Sequence, residues 1–198
     1  MKKIATIIAV VFAVTFASNS FAQATDSEMI TITANLNTSL FLDMGSAGYM
    51  PVEFDFNTLE DYNNGLGGYD NWDYYHMAGI SSTSNWKFGV KAVSDFTHSD
   101  GSTTMSLDNL GITIGWNGSN TIQNNAEEAP LAISSNETIL VEHDGTNSNA
   151  GDFYDNEFNI FYEMGTMNGN MNSESIFEQD LKKGTYTVDI EFIATEVL

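Results

Sequence analysis

The sequence predicts an all-β fold, an antiparallel β-sandwich of Greek-key, immunoglobulin-like type with about 8–10 strands and long polar loops. Three observations carry this. Several segments alternate apolar and polar residues with period two, which leaves one face for a core. Turn dipeptides separate them: Asn64-Gly65, Asp100-Gly101, Asn117-Gly118, Asp144-Gly145 and Asn168-Gly169. No window of ten or more residues keeps a 3.6 period beyond the first apolar run.

The N-terminus sets the compartment. Lys2 and Lys3 precede an apolar run from Ile4 to Phe16, and Ser20-Phe21-Ala22 places small residues where a signal peptidase reads. A cleaved signal peptide over 1–22 is therefore expected, leaving 23–198 as a single β-sandwich domain. Its destination is secretion, extracellular or on the cell surface, with the periplasm the other compartment allowed. No segment approaches the roughly 20 apolar residues of a membrane helix, so no transmembrane segment is expected in the mature chain. The chain has no Cys, which excludes disulfides and leaves stability to the hydrophobic core.

Strands are expected in order along the mature chain. Ile30, Ile32, Ala34 and Leu36 alternate with polar residues across Glu28 to Leu36, and Val52 to Phe56 repeats the pattern briefly. Trp86, Phe88, Val90 and Ala92 come next, then Leu110, Ile112, Ile114 and Trp116. Thr138 to Val141 is a short candidate. Phe158, Ile160, Tyr162 and Met164 form another, and Tyr186, Val188, Ile190 and Phe192 the last. Trp86, Phe88, Val90, Tyr186, Val188, Ile190 and Phe192 are expected in one core. Polar loops are expected over 57–84, 118–136, 143–156 and 165–178, with one short helical turn in Ser173 to Leu181. Only Pro51 and Pro130 occur, and no linker divides the chain.

Charge narrows the partners. Without Lys2 and Lys3 the chain keeps four Lys and no Arg against 27 acids. It cannot neutralise phosphates, which excludes nucleic acid and anionic membrane surfaces as partners. The same field favours divalent cations or a basic partner. Its aromatic and β-branched content argues for a folded core rather than acidic disorder.

Two constellations carry chemistry. The stretch from Asp61 to His76 gathers Tyr62, Tyr69, Trp72, Tyr74 and Tyr75 among carboxylates and amides. Rings stack on pyranose faces while polar groups take the hydroxyls, so these five are candidate ligand-binding residues. The plainer role for the same rings is to anchor a long loop. Asp61 and Asn63, with Asp144, Asp152 and Asp155, are candidate calcium ligands, since hard cations want six to eight oxygens. Neither stretch matches an EF-hand loop. No enzymatic signature appears: His76, His98 and His143 lack zinc-site spacing, and there is no nucleophile elbow or phosphate loop. The expectation is a protein that is not an enzyme and requires no cofactor, with calcium the one candidate.

Ser84-Asn85-Trp86-Lys87-Phe88-Gly89-Val90-Lys91-Ala92 resembles the Trp-x-Leu strand of the WxL family of cell-surface domains, with Phe88 where the family has Leu. Gly184-Thr185-Tyr186 and the strand after it resemble the Gly-x-Tyr terminal strand of WxL, spore-coat-U-like and fimbrial-type proteins. A second Trp-x-Leu is missing. The resemblance makes Trp86, Phe88 and Tyr186 the family-motif residues, and implies an immunoglobulin-like sandwich at the cell surface. The expected function is a secreted structural or adhesive protein, attached to the envelope or self-assembling. Its partners would be a glycan, a cell-envelope polymer or copies of itself. The alternative is a calcium-assisted carbohydrate-binding module that uses the loop 61–76.

Overall fold

Alternating residues pair into antiparallel ladders in the computed structural model, which describes residues 33–34, 38–45, 51–127 and 129–197. The expected signal peptide lies outside these residues. So does most of the strand expected over 28–36, of which Thr33 and Ala34 alone are described, neither in a strand. All the described elements belong to one unit, residues 37–198.

The elements in chain order are β1 (Leu40–Asp43), α1 (Leu59–Asn64), β2 (Leu66–Gly67), β3 (Tyr75–Ser82), β4 (Trp86–Ala92), β5 (Phe96–His98) and β6 (Thr104–Met105). Then come β7 (Leu110–Trp116), β8 (Gln123–Asn124), β9 (Leu131–Ala132), β10 (Thr138–Glu142), β11 (Glu157–Met164), β12 (Tyr186–Thr187) and β13 (Ile190–Glu196). One sheet has the order β1-β3-β11-β7-β9, with β2 also on β11; a second runs β13-β4-β10-β8, and a third β12-β5-β6. Every pairing among these strands is antiparallel. The strands outnumber the expected 8–10 because several are two-residue pieces too short to leave a period.

The first two sheets meet face to face. Ala78, Ile80, Ile112, Ile114, Phe158 and Ile160 project from one, and Trp86, Phe88, Val90 and Leu140 from the other, all fully buried. Phe88 reaches across the interface to Phe158, 5.0 Å away between ring centres, and stacks on Phe192 of its own sheet at 5.5 Å. These contacts make the molecule an all-β sandwich.

Four expectations are corrected. Val52 to Phe56 forms no strand, although Val52, Phe54 and Phe56 still turn their side chains inward along an extended segment. The stretch expected as a loop over 57–84 instead holds α1, β2 and the eight-residue β3. Ser173 to Leu181 makes turns in which Ser175 and Glu178 cap each other reciprocally, the Glu178 carboxylate accepting from the Ser175 N–H and hydroxyl, and no helix continues from them. The C-terminal strand breaks into β12 and β13, which join different sheets, where Asp189 N–H donates to Ser94 Oγ. Because β12 and β13 are both edge strands, Tyr186, Ile190 and Phe192, like Val188 between them, pack against the core but stay half-buried, unlike Trp86, Phe88 and Val90.

Candidate functional site

Strand β11 is buried at every position from Phe158 to Met164. A strand lining a core on one side alternates, so its outward phase, Asn159, Phe161 and Glu163, must also be covered. Neighbours on this outer face are set by register. Phe161 pairs with Tyr75 of β3 and Thr113 of β7, while Glu163 pairs with Gly111 and Gly67.

The cover over Phe161 is aromatic. Tyr69 and Trp72 each meet its ring edge-on at 5.2 Å, and Tyr75 lies 6.1 Å away at a 30° interplanar angle. Trp72 also meets Tyr75 at 4.9 Å. Phe161 is 1% exposed, yet Tyr69 and Trp72 remain 56% exposed and Tyr75 38%. Gly115 makes the cluster fit: a Cβ there would stand 3.0 Å from the Phe161 ring and 3.5 Å from that of Tyr69.

The segment carrying Tyr69 and Trp72 is held at both ends by one residue. Gly68 N–H donates to Tyr162 O, and Tyr162 N–H donates to Tyr74 O, each at 3.0 Å. Between them Asn71 N–H donates to Gly68 O and Tyr74 N–H to Asn71 O, closing two successive turns. The other two rings of the stretch face inward. Tyr74 stacks on Phe54 at 4.6 Å, and Tyr62 meets Phe56 at 5.4 Å. The five aromatics expected as ligand-binding residues therefore divide. Tyr62 and Tyr74 anchor the segment, while Tyr69, Trp72 and Tyr75 form one exposed cluster.

Beside Tyr69 runs a groove of about 380 Å³, lined also by Thr113, Glu127, Pro130, Glu163 and Asn168. Its size falls within the usual range of small-ligand sites, roughly 300–1,000 Å³. Glu163 is 2% exposed. Its Oε2 accepts from the Thr166 hydroxyl and, at 2.9 Å, from Asn168 Nδ2. Its Oε1 takes no hydrogen bond from the described residues. Thr113, also 2% exposed, has a hydroxyl that finds no partner among them.

The candidate calcium ligands serve their own loops. Thr58 Oγ1 accepts from Asp61 N–H at 3.1 Å while Asp61 Oδ2 accepts from Thr58 N–H at 2.8 Å, a capping box at the start of α1. The Thr58 and Asn57 amides hold the Asp61 carboxyl below the usual carboxylate range. Asn63 is exposed on the same helix. Asp144 accepts from the Asn147 side chain and from the Asn147 and Thr146 amides, which likewise lower its pKa. Asp152 Oδ1 accepts from Tyr154 and Asp155 N–H, and Asp155 accepts from Ser119 Oγ and Asp152 N–H. Among the described residues no three His, Asp or Glu side chains gather where they could hold an ion.

The motif residues are structural in their contacts. Trp86 Nε1 donates to Asn149 O at 2.7 Å, and the Asn149 side chain, fully buried, bonds both backbone polar groups of Trp86. Tyr186 OH donates to Lys182 O at 2.9 Å.

Phe161, Glu163 and Thr113 are site residues that the sequence reading does not single out. A signal for them exists in the outward phases: Gly111, Thr113 and Gly115 alternate with the core residues of β7, and Phe161 interrupts the polar phase of β11. Bare glycines facing a large apolar ring mark a sheet face with something laid over it. No protein-family model matches the chain, and no curated protein matches it.

Proposed function

We propose that the protein is a secreted, non-catalytic adhesive β-sandwich that engages carbohydrate through Tyr69, Trp72 and Tyr75. One observation carries this: three large rings are held together on the buried Phe161 while two of them stay more than half exposed. Rings needed only to anchor a loop would turn inward, as Tyr62 and Tyr74 do. A rigid ring offers contact area at low entropic cost, and this cluster stands on a sheet rather than on a free loop. The adjoining carboxylate, amide and hydroxyl suit the hydroxyl groups of a sugar. The N-terminal signal-like segment and the resemblance to cell-surface sandwiches support a location where glycans are met.

The mature protein should bind on a glycan array, and Trp72→Ala should abolish binding with little change in Tm. Phe41→Ala, at another exposed ring, should leave binding intact. A mature protein that binds no glycan, or a Trp72→Ala variant that binds as well as the parent, would overturn the proposal.

A further inference from the structure

We infer that the groove beside Tyr69 selects uncharged pyranose units and rejects acidic ones, a specificity that rests on the carbohydrate-binding proposal above. Two polar groups of the groove are incomplete. Glu163 keeps Oε1 open although the residue is 2% exposed, and Thr113, equally buried, has a hydroxyl without a partner among the described residues. Native structures leave few buried polar atoms in the condition of the Thr113 hydroxyl, and a ligand is one ordinary way to complete such a group.

The missing partner has definite chemistry. A carboxylate oxygen accepts, so Oε1 calls for a donor, and a sugar O–H supplies one. The Thr113 hydroxyl both donates and accepts, which matches a second sugar hydroxyl. Tyr69 borders this groove and also edges Phe161, so a ring stacked on the aromatic cluster leads directly into it. Asn168, already committed through Nδ2 to Glu163 Oε2, fixes the carboxylate's orientation.

Charge decides between sugars. Glu163 and Glu127 both line the groove, and none of its described lining residues is Lys, Arg or His. A uronate, sulfate or sialic acid placed there would set like charges together in a partly desolvated site, with no cation in that lining to offset them. Uncharged hexoses meet no such repulsion and satisfy both open groups.

The test is a glycan array bearing neutral oligosaccharides beside their uronic-acid, sulfated and sialylated counterparts, run at fixed ionic strength. The mature protein should bind neutral members only. Glu163→Gln and Thr113→Val should each weaken that binding, the first by about ten- to a hundred-fold, the usual worth of a hydrogen bond to a charged group. Glu163→Gln should also narrow the gap between neutral and acidic glycans. Asp95→Asn removes one exposed charge elsewhere and should leave the gap unchanged, which separates local selection from general repulsion by an acidic chain. Melting curves would show that each variant remains folded, and Gln at position 163 can still accept from Thr166 and Asn168. Equal binding of acidic glycans, or groove variants that bind like the parent while Trp72→Ala does not, would overturn the specificity and leave the ring platform standing. No binding to any glycan would overturn both.

Discussion

Phe88 and Phe192 stack on each other with rings 9° from parallel, yet they occupy different environments. Phe88 is fully buried in a central strand, whereas Phe192 lies on the edge strand β13 and is half-buried. Truncation of a fully buried Phe costs about 3–5 kcal/mol, part of it for the cavity left behind. Phe88→Ala should fall in that range and Phe192→Ala at about half of it, since solvent can relax into the edge site. Urea unfolding with unchanged m-values would measure both, and equal losses would show β13 to be as enclosed as β4. Both inward phases are legible in the sequence, because Phe88 and Phe192 each recur at period two with their neighbours. Depth is not legible, since alternation reports which face is apolar and not how many strands flank it. Phe161 shows the converse limit. Its strand is legible from Phe158, Ile160, Tyr162 and Met164, but a single ring on the opposite phase does not reveal what covers it.

Among the elements, β3 is hidden in the sequence and Val52 to Phe56 mimics a strand, for related reasons. In β3 the inward positions are His76, Ala78, Ile80 and Ser82, of which Ile80 alone is strongly apolar. Tyr75 and Met77 meanwhile put apolar bulk on the outward phase, so no alternation survives. Val52, Phe54 and Phe56 alternate cleanly, but Phe54 and Phe56 find rings to rest on rather than a strand to pair with. Period two is a statement about side chains, and pairing needs a free backbone edge as well. The β5–β6 turn is legible from Asp100-Gly101, although the strands on either side of it are not, and its carboxylate has a measurable role. Asp100 accepts from Lys182 Nζ at 2.6 Å, from the Ser102 and Thr103 amides and from the Thr103 hydroxyl. Lys182 above all, then those amides and the hydroxyl, holds its carboxyl far below the usual carboxylate range. A folded-state pKa below the unfolded value of about 4 gives stability that is complete above that value. It is lost as pH falls towards the folded pKa. Tm should therefore fall more steeply below about pH 4 in the parent than in Asp100→Asn. Parallel curves for the two proteins would show that the turn draws nothing from ionisation.

At the scale of the whole molecule, 27 acids face six Lys, and among the described residues two Lys–carboxylate pairs form, Lys91–Glu191 and Lys182–Asp100. Most carboxylates thus repel one another across the surface, which weakens the compact state and is relieved by salt. Sodium chloride should raise Tm. A specific calcium site would raise it further: a cation bound only by the folded chain at about a hundred times its dissociation constant would add about 2.7 kcal/mol. Against such a site stands the way Asp144, Asp152 and Asp155 spend their oxygens on backbone N–H groups within their own turns. Hard cations want six to eight oxygens, and carboxylates committed to amides have fewer lone pairs to give. Calcium, magnesium and sodium chloride at matched ionic strength should accordingly leave calcium no more effective than magnesium. A calcium-specific rise would reverse this, and loss of that rise in Asp152→Ala and Asp155→Ala would place the ion at the turn where Asp155 also holds Ser119. The glycan array run with and without calcium then becomes the decisive comparison. The ring cluster is held by Phe161 and by backbone hydrogen bonds to Tyr162, so its binding should be the same in both.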